Sequence, residues 1–110
     1  MKLSKIREGK VEVNVPVGCK YDAPVFYNED AEFVRDINIA VLSVFQNHLG
    51  SEMQILDALS ASGVSGIRYA KEVSGVKVTL NDKNPEAVKL IERNDFEVLI
   101  HASEHKKLKQ

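Results

Sequence analysis

Residues 54–63 restrict the fold more than any other part of this sequence. Ile55-Leu56 opens a short apolar run, Asp57-Ala58-Leu59 continues it, and Ser60-Ala61-Ser62-Gly63 then offers only small side chains. An apolar run this short predicts a strand buried on both faces. The small residues behind it predict a tight turn that a ligand can approach closely, with Gly63 free to take a positive φ. Residues 67–73 carry helical spacing, and Val76, Val78 and Leu80 alternate with Lys77 and Thr79 as a second strand. Asn84-Pro85 then caps a helix lined by Ala87, Val88, Leu90 and Ile91, with proline at the first position, where a missing N–H is harmless. A third strand is expected over residues 96–100. This alternation predicts an α/β fold with a parallel sheet and right-handed crossovers, half of a doubly wound architecture.

Upstream of that unit, Ile6, a Glu8-Gly9 turn, and Val11, Val13 and Val15 alternating with Glu12 and Asn14 predict a β-hairpin that Pro16 stops. A loop through Gly18, Asp22 and Pro24 leads to Phe26 and Tyr27, which read as exposed aromatics. Asn28 is placed to cap a helix whose first turn carries Glu29 and Asp30, acids that oppose the positive dipole end. Phe33, Ile37, Ala40, Val41 and Val44 recur at three- and four-residue spacing as one apolar face running to about His48, and Gly50 ends the helix. The chain therefore divides into a hairpin and entry helix (1–50) and a partial cofactor-binding unit (51–110). With 110 residues, the two are expected to form one compact body.

Charge argues neither for nor against nucleic acid. The net charge is −1, from 15 basic and 16 acidic residues, so the overall basic surplus of a typical phosphate-binding surface is missing. Basic residues gather at the ends, Lys2, Lys5, Arg7 and Lys10 at one and Lys106, Lys107 and Lys109 at the other; residues 106–109 read as a solvated tail. Mean hydropathy is −0.21, and no apolar run reaches the roughly 18 residues of a membrane span. The start has no signal-peptide character, so a cytoplasmic location is expected. Cys19 is the sole cysteine, reads as a loop or core residue, and excludes an internal disulfide. His48, His101 and His105 are too scattered to form a metal cluster with it.

In open α/β sheets, ligands bind beyond the carboxyl ends of the strands. The Asp57–Gly63 turn falls there, and so does Asp82, directly after the second strand. A carboxylate at that position can accept two hydrogen bonds from ribose hydroxyls. Asp82 follows Gly63 by 19 residues, close to the roughly 20 of a ribose-binding acid. A dinucleotide would need a GxGxxG loop to admit its pyrophosphate, and this turn has one glycine where three are wanted. S-adenosylmethionine carries no phosphate, so a Ser/Ala-rich turn suffices and Asp57 can face its cationic part. The local alternative is that Asp57 and Asp82 only cap strand ends.

The stretch Ile55-Leu56-Asp57-Ala58-Leu59-Ser60-Ala61-Ser62-Gly63-Val64-Ser65-Gly66-Ile67-Arg68-Tyr69-Ala70 resembles the cofactor-binding turn of the tRNA (guanine-26, N2) dimethyltransferase family. Arg7-Glu8-Gly9-Lys10, Pro24-Val25-Phe26-Tyr27-Asn28, Leu80-Asn81-Asp82 and Pro85-Glu86-Ala87 agree with it in order and spacing. The resemblance covers about residues 6–94. It implies a Rossmann-like class I methyltransferase half-fold, S-adenosylmethionine as methyl donor, and tRNA as substrate. It also implies that Arg35 meets the cofactor, through a bidentate fork to its carboxylate. Taken by itself, Arg35 lies off the apolar helix face and reads as an exposed charge. By the same resemblance Asp57, Ser60 and Gly63 shape the cofactor pocket, Asp82 holds the ribose, Asn81 beside it also belongs to the cofactor-binding set, and Phe26 and Tyr27 border the pocket of the target base; core packing is an equal reading for those two aromatics.

The chain departs from the family pattern at Glu29, where proline is usual, at Val34, where asparagine is usual, and at Ser65, where arginine is common. It also lacks the Asp-Pro-Phe-Gly type segment that in this family orients the exocyclic amine and takes its proton. Asn84-Pro85 opens a helix and is no substitute. The expectation is a donor-binding part that works with a complementing C-terminal chain or with a second copy of itself, or else a binding module without catalysis.

Overall fold

The computed structural model describes residues 1–18, 21–99 and 105–107. Cys19, His101 and Lys109 lie outside them. β1 (Leu3–Glu8) and β2 (Val11–Pro16) form the expected antiparallel hairpin, with Gly9 in its turn at φ 56°. A 3-10 turn (Glu29–Ala31) leads into α1 (Glu32–Leu49). Then follow β3 (Met53–Asp57), α2 (Val64–Glu72), β4 (Val76–Leu80), α3 (Pro85–Leu99) and β5 (His105–Lys107). β3, β4 and β5 lie side by side in a parallel sheet.

Parallel pairing places Met53, Ile55 and Asp57 opposite Val76, Val78 and Leu80, so these six share one face of the sheet. α2 covers that face, burying Ile67 and Ala70. A side chain on Gly66 would collide with Leu80 and would come within 3.0 Å of the Asp57 carboxylate. Glycine there brings the helix down onto the strand tips. Val11, Val13 and Val15 of the hairpin join the same core together with Ile91 of α3. Each such aliphatic side chain contributes about 1.5–3 kcal/mol by burial.

Three expectations are corrected. β3 is not buried on both faces: it is an edge strand, and Leu56, on the face away from α2, is 60% exposed. Residues 96–99 are helical, because Ala87, Leu90, Ile91, Asn94 and Asp95 extend one buried helical face up to that point. The third strand forms instead at His105–Lys107 and takes Lys106 and Lys107 into the sheet rather than into a tail.

α1 holds a further surprise. It packs on α2 through Asn38, Ile39 and Leu42, and its buried residue is Arg35. The apolar face read from the sequence points outward: Phe33, Ile37, Val41 and Val44 are all exposed, as are Val34 and Phe45. The spacing is helical as expected. Which face is covered depends on neighbours, and none of the described residues covers this one.

Candidate functional site

The turn between β3 and α2 is fastened to the end of β4. Asn81 N–H donates to Asp57 O at 3.0 Å and to Ser60 Oγ at 3.0 Å, while Ser60 N–H donates to Asn81 O at 2.9 Å. Asn81 Nδ2 reaches Ala58 O at 3.1 Å, and Ser60 Oγ–H donates to Asp57 O at 2.7 Å. Ser60 and Asn81 therefore extend the strand pairing one step past the sheet. Gly63 is buried at φ 86° as the N-cap of α2, and a side chain there would press on Ile67 and Ile91. Its part is to shape the backbone.

Asp82 braces the turn from β4. Its Oδ2 accepts the Ala61 N–H at 2.8 Å and its Oδ1 accepts the Asn84 N–H at 2.9 Å. Ala61 has φ 49° and is the one non-glycine residue with positive φ among the described residues, a conformation that costs about 1–2 kcal/mol. Each Asp82 oxygen keeps a second lone pair for a ligand hydroxyl. Asp57 turns toward α2, where its Oδ2 accepts the Gly66 N–H at 3.1 Å. Burial raises the Asp57 pKa above the ordinary 3.8, against the lowering effect of the Ser60 and Gly66 hydrogen bonds.

Arg35 is 8% exposed, not the surface charge that its helix position suggested. Its Nε donates to Glu8 Oε1 at 2.5 Å, and its Nη2 donates to Glu8 Oε2 at 2.9 Å and to Asn28 O at 3.0 Å. The Tyr27 ring lies 5.2 Å from the guanidinium carbon, within cation–π range. The bidentate fork expected for a cofactor carboxylate is thus committed to Glu8, and Nη1 takes no part in these bonds. Glu8, wholly buried, also accepts from Tyr27 Oη at 2.9 Å and Arg68 Nη1 at 3.1 Å. Burial alone would raise the Glu8 pKa, but the hydrogen bonds from Arg35, Tyr27 and Arg68 and the Arg35 charge outweigh it and lower it below the ordinary 4.5. Burial and the Glu8 carboxylate push the Tyr27 hydroxyl up to about 12.

Two cavities flank Ala61 and Phe26. One, about 360 Å³, is bordered by Tyr21, Pro24, Asp82, Asn84 and Ala87. The other, about 200 Å³, is bordered by Tyr27, Arg35, Leu59, Ser60, Ser62 and Ser65. Together they form a crevice along the carboxyl ends of β3 and β4, with a carboxylate at one end and a guanidinium at the other. Arg35, Ser60 and Asp82 border it, as do Phe26 (53% exposed) and the half-buried Tyr27. Asp57 and Gly63 stand behind it, and Asn81 ties the turn. Glu8 was missed by the sequence reading. Its signal was present: it shares an inward strand face with Ile6, where a charge requires a partner.

Residues 4–109 match the family described as N2,N2-dimethylguanosine tRNA methyltransferase. The tRNA (guanine(26)-N(2))-dimethyltransferase of Methanothermobacter thermautotrophicus is 46% identical over 92 residues, covering 81% of this chain and 24% of that protein. The same-named protein of Sulfurisphaera tokodaii is 43% identical over 104 residues, covering 86% of this chain and 26% of its own length. Among solved structures, Trm1 from Pyrococcus horikoshii in complex with S-adenosyl-L-methionine superposes with a TM-score of 0.72 at 39% identity, over 84% of this chain and 23% of that one. The Rossmann-like methyltransferase fold expected from the sequence is thereby shown. The chain spans about a quarter of the length of the relatives it matches. It belongs to the N2,N2-dimethylguanosine tRNA methyltransferase family.

Proposed function

We propose that this chain binds S-adenosylmethionine in the crevice at the carboxyl ends of β3 and β4, and so supplies the donor-binding part of a tRNA guanine-N2 methyltransferase. The observation that carries the reading is the crevice with Asp82 at one end and Arg35 at the other, floored by a turn of small residues. Asp82 accepts the ribose hydroxyls with its second lone pairs, while its existing bonds hold the turn rigid. Arg35 Nη1 meets the ligand carboxylate. Ser60 and the backbone of residues 61–63 allow close approach, and Asp57 stabilises the nearby positive charge through the turn. The bound donor supplies an activated methyl group. Phe26, on the open side, is placed to stack on the incoming base. The relatives' names and the solved complex support donor and substrate alike, and a tRNA substrate agrees with a cytoplasmic location. No helix of the described residues is long and apolar enough to cross a membrane.

Transfer to an exocyclic amine needs groups that orient the amine and take its proton. The 110 residues contain no Asp-Pro-Phe-Gly segment. We place that work on a complementing C-terminal segment, seated on the free edge of β3 and the apolar face of α1. A second copy of this chain on the same surface, giving a donor-binding module without catalysis, is the other reading, and the open β3 edge favours it equally. Titration calorimetry with S-adenosylmethionine and with NAD tests the donor: binding of NAD alone would overturn the reading. A methyl-transfer assay on unmodified tRNA, with and without the C-terminal complement, separates the two forms. Transfer only with the complement is expected.

A further inference from the structure

Arg35 reaches the crevice, but its geometry is set elsewhere. Glu8 grips it side-on through Nε and Nη2, and the Asn28 carbonyl takes the other Nη2 hydrogen. Tyr27 fixes Glu8 through its hydroxyl and lies against the guanidinium with its ring. Arg68, itself 2% exposed, supplies the second positive charge on Glu8. A guanidinium has five N–H donors in a rigid fork. With three of them assigned in this way, its orientation is fully determined, and only the two hydrogens on Nη1 remain for a ligand.

We propose that Glu8 is a positioning residue for ligand selection: by locking Arg35 it leaves one Nη1 end-on contact, tuned to a ligand that carries a carboxylate beyond its adenosine. This rests on the donor reading above and extends it from which residue touches the ligand to which residue aims that contact. Glu8 is wholly buried and does not border the crevice, so it acts on a ligand through the side chains it holds, Arg35 and, behind the guanidinium, Tyr27. Its effect therefore falls on the carboxylate end and spares the adenosine end at Asp82.

The test is a comparison of two ligands on the full chain by titration calorimetry. S-adenosylhomocysteine has the carboxylate; 5′-methylthioadenosine keeps the adenosine and thioether but lacks it. Glu8→Gln is expected to weaken S-adenosylhomocysteine about tenfold and to leave methylthioadenosine within about twofold. Equal weakening of both ligands, or of neither, overturns the inference. If Glu8→Gln does not fold by circular dichroism, Tyr27→Phe, which removes only the hydroxyl holding Glu8, is expected to show the same selectivity at two- to threefold, and equal effects on both ligands overturn it in the same way. An unaltered chain that binds neither ligand overturns the donor reading and this inference with it. Binding by the unaltered chain without selective loss in the variants overturns the inference alone.

Discussion

Asp82 holds Ala61 across the gap between two strand tips, its Oδ2 accepting the Ala61 N–H at 2.8 Å. The carboxylate proposed to hold the donor ribose is thus also a brace for a strained turn, since Ala61 sits at φ 49°. Strain of this kind persists only where the surroundings enforce it. Asp82→Ala is expected to abolish donor binding and also to lower stability by about 1–3 kcal/mol, because the Ala61 and Asn84 N–H groups lose their acceptor. Calorimetric titration and a thermal melt together check this. A variant that melts normally and binds normally would remove both roles.

Asp57 leads to a pH-dependent outcome. Burial raises its folded-state pKa above the ordinary 3.8, so its ionised form is disfavoured in the fold. The stability it allows is fully present below the ordinary value and is lost as pH rises through the folded pKa. Asp57→Asn keeps an acceptor for Gly66 without the ionisation penalty. The variant should therefore melt higher than the parent at pH 7, and the two should converge as pH falls below 3.8. Donor affinity should drop at pH 7, where the parent's negative charge acts on the crevice from behind the turn. A parent that melts higher at pH 7 would contradict the assignment.

Glu8 titrates in the opposite sense. Its folded pKa is lowered, so its stabilisation is present above the ordinary 4.5 and disappears as pH falls through the folded value. The members of the ion cluster around Glu8 and Arg68 differ sharply in weight. Arg68 is 2% exposed and pairs with Glu8 at 3.1 Å, with Glu72 at 2.6 Å and with Asp36 at 2.8 Å. Removing one member of a buried ion cluster leaves uncompensated charge and costs about 3–5 kcal/mol. Asp36, with its side chain 51% exposed, is a surface partner worth about 0–1 kcal/mol. Urea unfolding should find Arg68→Met severely destabilised and Asp36→Ala nearly neutral. Equal effects would mean that the cluster is not the buried unit described.

The parts of this fold legible in the sequence are those written in local signals. The Gly9 turn, the Asn28 cap (Oδ1 to Asp30 N–H at 3.1 Å), the left-handed Gly50 at φ 72° and the small-residue turn all appear where single residues place them. Asp82 stands at the tip of β4 beside the crevice, where the sequence reading put it, because it directly follows a strand with a clear alternating pattern. The Glu8–Arg35 pair was not legible, because 27 residues separate its members and neither strand nor helix periodicity encodes which distant charge will meet which. Arg35 was misread for a related reason: the helical pattern of α1 showed one apolar face, and the polar face turned out to be the packed one.

That reversal gives the last expectation. Phe33, Val41, Val44 and Phe45 form an exposed stripe on α1, and Leu56 and Leu59 are exposed on β3 and the turn behind it. α1 packs on α2, and α2 covers β3 and β4. The stripe therefore lies on the helix side of the sheet. Exposed apolar patches of this extent mark interaction surfaces or aggregation sites, and an unpaired strand edge acts in the same direction. By itself the chain should associate as its concentration rises. Val41→Lys combined with Val44→Glu should suppress that association in light scattering while shifting the melting temperature by only a few degrees, since neither side chain supports the core. The same double variant should fail to regain methyl transfer when the C-terminal complement is added. Full recovery of transfer would show that the complement docks elsewhere.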